Sequence, residues 1–146
     1  MADTVTVNTV IDNGTHVVVH LTCISDGTGE TGVKKVDIAA IAANVNGKQP
    51  AGLRLEQIRW CMQGFAYLKL GWDRTAAQNT LMTPNGSGYD DYRGLKHGVR
   101  DYAKLGGLVD PSEGNADNKG SILLTSVGAV AGATYDVTLW LAKANN

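Results

Sequence analysis

The sequence predicts an all-β fold: an antiparallel, jelly-roll-like β-sandwich of about seven or eight strands with a long irregular insertion. Three observations predict it. Apolar residues recur at every second position in several runs, and no segment keeps a convincing helical period over any length. Eighteen glycines against three prolines are scattered through 146 residues, as many short turns require, because glycine supplies the positive φ angles of tight connections. Turn signals also fall between the alternating runs at the close spacing of all-β domains. The length suits one domain, residues 1–146, with a single core.

Residues 4–12 alternate and are rich in Val and Thr, so they read as a strand that ends at the turn Asp12-Asn13-Gly14. A second strand, residues 15–25, puts Val17, Val19, Leu21 and Cys23 on one face and His16, His20 and Thr22 on the other. The run Asp26-Gly27-Thr28-Gly29 closes it, and a third strand is expected from about residue 32 to 38. Residues 38–45 have no clear period and read as a helical turn or irregular segment. Leu53 and Leu55 occupy odd positions, whereas Ile58, Trp60 and Met62 occupy even ones. A bulge or break near Glu56-Gln57 reconciles them, because one inserted residue flips the facing of everything after it. Beyond Gly64, Ala66, Leu68, Leu70 and Trp72 share a face, so the two segments form a long hairpin or two successive strands across a core. Between Arg74 and Asn118 only short edge strands fit, around residues 79–83 and 99–102. Residues 120–127 and 134–143 are the final strands, the latter with Tyr135, Val137, Leu139 and Leu141 on one side.

The composition is 43% hydrophobic and 18% charged, too apolar for a disordered chain and light in charge for a fully wet surface, so part of the surface is expected to be covered. A formal charge of −1 excludes the basic excess that holds a protein to nucleic acid by phosphate neutralisation. The opening Met1 to Val10 lacks a basic region followed by an apolar core, and no apolar run approaches the roughly 20 residues that span a bilayer. Synthesis in the cytoplasm without export or membrane insertion is the expectation. Cys23 and Cys61 then read as buried, reduced thiols rather than a disulfide.

Several motifs approach a chemistry without completing it. The run from Gly27 to Lys34 nearly spells a phosphate-binding loop, but Val33 stands where lysine must follow the second glycine, and no βα context surrounds it. A glycine-rich hairpin turn is expected there. On a strand His16 and His20 lie roughly 13 Å apart, too far to ligate one ion. His97 has no partner at a meaningful spacing, and Ser25, Ser87 and Cys23 lack a nucleophile signature. Asp110, Glu113, Asn115 and Asp117 are oxygen donors in one loop, but their spacing is not that of an EF-hand. The composition and motifs therefore nominate no catalytic residue, metal ligand or cofactor. Interface residues are better supported. Tyr89, Tyr92 and Arg93, with Asp90 and Asp91 between, form a segment of contact-prone types, read either as an interface or as aromatic residues that lock a long loop onto the sandwich. Trp140 falls on the outward parity of the last strand, where a subunit contact or a covering loop is needed to exclude water from the ring. His16 and His20 complete this set as outward side chains.

Leu21-Thr22-Cys23-Ile24-Ser25-Asp26-Gly27-Thr28-Gly29-Glu30, Val36-Asp37-Ile38, Leu55-Glu56-Gln57-Ile58-Arg59-Trp60, Gly106-Gly107-Leu108-Val109-Asp110-Pro111, Gly120-Ser121-Ile122-Leu123-Leu124-Thr125 and Ala133-Thr134-Tyr135-Asp136-Val137-Thr138-Leu139-Trp140-Leu141 occur in this order. In texture and segment order, from about Val17 to Lys143, the chain resembles small virion structural proteins of tailed bacteriophages, of the head decoration or cement type. The resemblance implies a non-enzymatic all-β accessory on the capsid surface, with the major capsid protein as its partner. It implies no cofactor. A closed homo-oligomer, such as a trimer at a local three-fold position, follows from the geometry of such shells and from Trp140. A neck or tail component shares the same texture. A carbohydrate-binding sandwich would instead bring Trp140, Tyr89 and Tyr92 onto one concave patch, and an enzyme would show a pocket beside His97 or Asp90-Asp91.

Overall fold

A computed structural model describes residues 3–74, 79–91, 96–97, 100–101, 108–109 and 118–143. Their regular structure is entirely β, with no helix among the described residues and therefore none long and apolar enough to cross a membrane. The strands are β1 (Thr4–Asp12), β2 (His16–Asp26), β3 (Val33–Val36), β4 (Leu53–Gln63), β5 (Tyr67–Arg74) and β6 (Asn79–Met82). They continue as β7 (Ser87–Asp91), β8 (Lys96–His97), β9 (Arg100–Asp101), β10 (Leu108–Val109), β11 (Asn118–Val127) and β12 (Ala131–Lys143). Among the described residues these are twelve extended segments where sequence spacing gave seven or eight, the difference lying in short pieces such as the two-residue β8, β9 and β10.

All pairings are antiparallel and build two main sheets. One has the order β1-β2-β12-β4-β10, with β7 also paired to β4; the other has the order β3-β11-β5-β6. The β1–β2 hairpin starts from its turn, where Asn13 Oδ1 accepts the backbone N–H groups of Thr15 and His16, each at 2.9 Å. After that hairpin the chain passes back and forth between the sheets. β4 and β5 are therefore successive strands in opposite sheets, not a hairpin, and the glycine-rich segment after β2 is a crossover to β3 in the other sheet, not a hairpin turn. Residues 37–52 contain only turns and irregular backbone.

One buried apolar cluster draws on both sheets. Val17, Val19, Leu21, Val137, Leu139 and Leu141 come from β2 and β12, and Leu68, Leu70, Trp72, Ile122 and Leu124 from β5 and β11. The expected bulge in β4 is present: Trp140 pairs with Gln57 and Leu141 with Leu55, leaving Glu56 unpaired between them. Leu53, Leu55, Ile58 and Met62 are consequently all buried despite their mixed parity. A second bulge lies in β3, where Val36 opposes Ile122 but Lys34 opposes Leu123. The unpaired residue, Lys35, turns its side chain into the interior, 2% exposed.

Glycine is required where strands approach closely. Gly88 in β7 lies against the Trp60 indole, and a Cβ there would come within 2.4 Å of the ring. The indole Nε1–H donates to the Asn85 carbonyl at 2.8 Å, which anchors the ring across the start of β7. Gly64, at the exit of β4, has φ of 86° and would press a Cβ onto Ala133 at 2.8 Å.

Candidate functional site

The burial pattern of β2 fixes which side of the six-stranded sheet faces outward. Val17, Val19, Leu21 and Cys23 are buried, so His16, His20, Thr22 and Ile24 point away from the core. Register extends this face across the sheet. Tyr89 of β7, Arg59 of β4, Thr138 of β12, His20 of β2 and Asn8 of β1 form one cross-strand row, and Trp140 lies in the next row between Gln57 and Val18. Four of the nominated interface residues, Trp140, Tyr89, His16 and His20, thus share one outward face. Tyr92 and Arg93 lie outside the described residues.

Trp140 is half-buried, and its row neighbours Val18 and Gln57 are buried, so part of the outward side near the indole is already shielded from water within the chain. Tyr89 is half exposed. His20 Nε2 stands 2.8 Å from Asp136 Oδ1, and His16 Nε2 is 3.2 Å from Glu56 Oε1. Each histidine is tied to a different carboxylate, consistent with the strand spacing that prevents them from sharing an ion. The same face carries an open depression of about 330 Å³ lined by Thr22, Ile24, Cys61, Gln63, Thr134 and Asp136. Neither Trp140 nor Tyr89 lines it, so this hollow is not the aromatic patch expected of a sugar-binding module. Cys61 is exposed on this face rather than buried; Cys23 is buried; both are free thiols.

The interior holds a polar cluster that alternation alone does not reveal. Glu30, in the crossover from β2 to β3, is fixed by exchange with β11: its N–H donates to Ser126 Oγ at 2.8 Å and its carbonyl accepts the Ser126 N–H at 2.9 Å. Its carboxylate then accepts hydrogen bonds from Lys35 Nζ and from the Tyr135 hydroxyl, the latter at 2.6 Å. Burial, the Glu30 contact and the Glu30 charge push the Tyr135 hydroxyl well above its ordinary range. Burial first, and then the Glu30 and Asp3 charges, push the Cys23 thiol up to about 11. Asp3 reaches the cluster from the start of the chain, its Oδ1 accepting from Ser25 Oγ and the Asp26 N–H, both at 3.0 Å.

Asp3, Cys23 and Glu30 are the described residues that could hold a metal, with donor atoms within 4.8 Å of one another. The chemistry argues for an internal ion pair in their place. The Lys35 ammonium already meets one Glu30 oxygen and the Tyr135 hydroxyl meets the other, so the Glu30 carboxylate is engaged within the protein. A signal for this cluster exists in the sequence: Tyr135 occupies a core-facing position, and a buried phenol needs a polar partner.

Asp90 and Asp91 are placed in β7 and His97 in β8, but their side chains lie outside the described residues, as do Asp110, Glu113, Asn115 and Asp117 entirely. Comparison with known protein families, curated proteins and solved structures finds no match to this chain.

Proposed function

We propose that the chain is a structural protein of a tailed-bacteriophage virion, acting as a capsid decoration or cement protein on the major capsid lattice without catalysing a reaction. The observation that carries this reading is the shared outward face. Trp140, Tyr89, His16 and His20, selected as contact residues on residue type and parity, converge on one side of a broad sheet. A sheet face with a half-exposed tyrosine, a half-buried tryptophan and an open hollow suits adhesion to another protein better than capture of a small substrate. The paired sheets with a common core are read as a β-sandwich, with jelly-roll-like winding as its finer form.

Cementing of this kind works by mass action. A protein that binds the assembled shell and not its free subunits stabilises the shell in proportion to RT ln(1 + [L]/Kd), and each bridge between neighbouring subunits resists outward pressure. The test is recovery of the chain with purified particles in lattice-like copy number, followed by rebinding to stripped particles. Tyr89→Ala and Trp140→Ala should each weaken rebinding by about tenfold or more, a hot-spot loss, while the isolated proteins keep wild-type far-UV spectra. Absence from particles, or about a dozen copies per particle as in a neck ring, would overturn the head assignment.

A further inference from the structure

We infer that β1 is a self-complementary edge through which two copies of this chain pair, Thr6 lying on the two-fold axis, to make one continuous sheet. The inference stands apart from any role in a virion. Among the described residues β1 ends the six-stranded sheet, with β2 on one side and no strand on the other. Except for half-buried Val5 its nine residues are exposed throughout. The other sheet margins differ. The opposite margin is made by the two-residue β10 and by β7, which ends in Asp90-Asp91, while β3 and β6 are four residues each and β3 carries the exposed Lys34. Short or charged margins resist pairing, whereas a long uncharged one invites it. Thr4 to Ile11 contains neither a charge nor a proline.

The occupant follows from the side chains. Even-numbered β1 residues share the outward face with His20 and Thr22, and odd-numbered ones the core side, up to the bulge between Thr9 and Ile11. A two-fold axis normal to the sheet must pair residues of equal parity. With Thr6 on that axis, Val5 meets Val7 of the second copy and Thr4 meets Asn8, while Thr6 meets its own equivalent. Valine then pairs with valine on the core side, where Val7 is 47% exposed in the single chain, and hydroxyl or amide groups pair on the outward side. Cross-strand β-branched and Thr–Thr pairs of this kind are favourable. No like charges are brought together, and the symmetry closes at two copies.

Sedimentation and light scattering from about 1 μM to about 500 μM should show reversible conversion of the 15.4 kDa chain to a species of twice that mass. Thr6→Lys and Thr6→Glu each set like charges across the axis and should raise the association midpoint about tenfold or more. Mixing the two variants should restore a one-to-one dimer. Matching far-UV spectra and melting temperatures show that the variants fold. In a Cys61→Ser background, Thr6→Cys should form an intermolecular disulfide under mild oxidation. A wild-type chain that stays monomeric across this range, assembles as a trimer, or dimerises equally well with lysine at position 6 would overturn the inference, as would failure of the lysine and glutamate variants to pair.

Discussion

Cys23 lies beneath the sheet beside Glu30 and Asp3, whereas Cys61 stands on the outward face one strand away from Asp136. Their reactivities should separate accordingly. In the native protein one thiol per chain should react quickly with a thiol reagent, Cys61→Ser should abolish that reaction, and the second thiol should appear only on unfolding. The raised Cys23 pKa carries a pH dependence. Between about pH 9 and 11 the folded chain retains a proton that the unfolded chain releases, so stability falls as pH rises through that window. Tyr135 shifts in the same sense and extends the loss to higher pH. The urea midpoint should therefore decline above pH 9, and Cys23→Ala should flatten the decline. Lys143 is a second buried cation, fully covered, with Nζ donating to Asp12 Oδ1 at 2.5 Å, the Asn13 carbonyl at 2.5 Å and the Ala42 carbonyl at 2.8 Å. It ties the β1–β2 turn and the segment after β3 to the end of β12. Lys143→Met should cost about 2 kcal/mol in chemical denaturation, less than a fully buried pair because Asp12 keeps part of its carboxylate in water.

At the scale of elements, β7 depends on the absence of a side chain. Trp60 lies where a Cβ at residue 88 would be, so Gly88→Ala should push the ring or β7 out of place, at a cost of about 1–3 kcal/mol read as a lowered melting temperature with a changed tryptophan emission. β7 also marks where sequence reasoning stops. Its residues Ser87 to Asp91 carry turn-forming and acidic types with no apolar alternation, and the strand exists because β4 offers a backbone edge and Gly88 makes room for Trp60. Local sequence encodes neither. The β4 bulge was legible because burial has period two: apolar residues at 53, 55, 58 and 62 can all face inward only if one residue is skipped. The hairpin turn expected in the run Gly27 to Lys34 is a crossover for a related reason. Glycine spacing announces that the chain turns, but the neighbour of the next strand is set by long-range packing, here the Glu30 exchange with Ser126. Trp140, His16 and His20 were legible as outward residues because each sits in an alternating run, and Tyr89 only as a contact-prone residue type; of the interior cluster the core-facing Tyr135 was legible, while Lys35 was hidden because a bulge turned it inward.

For the whole molecule, a cluster shared by both sheets implies cooperative unfolding. Far-UV and near-UV signals should be lost in one coincident transition, since neither sheet keeps a covered face once the other departs. Two separated transitions would contradict that shared dependence. The strand order adds a mechanical consequence. β1 and β12 flank β2 and run in the same direction, so Thr4 and Lys143 sit at opposite ends of the sheet, roughly 30 Å apart at about 3.3 Å per residue. Tension applied between those two points would load the flanking ladders in shear, all rungs together, rather than peeling them open one after another. The domain is thus built to bear a lengthwise pull, and would yield far more readily to a force that plucks β1 sideways.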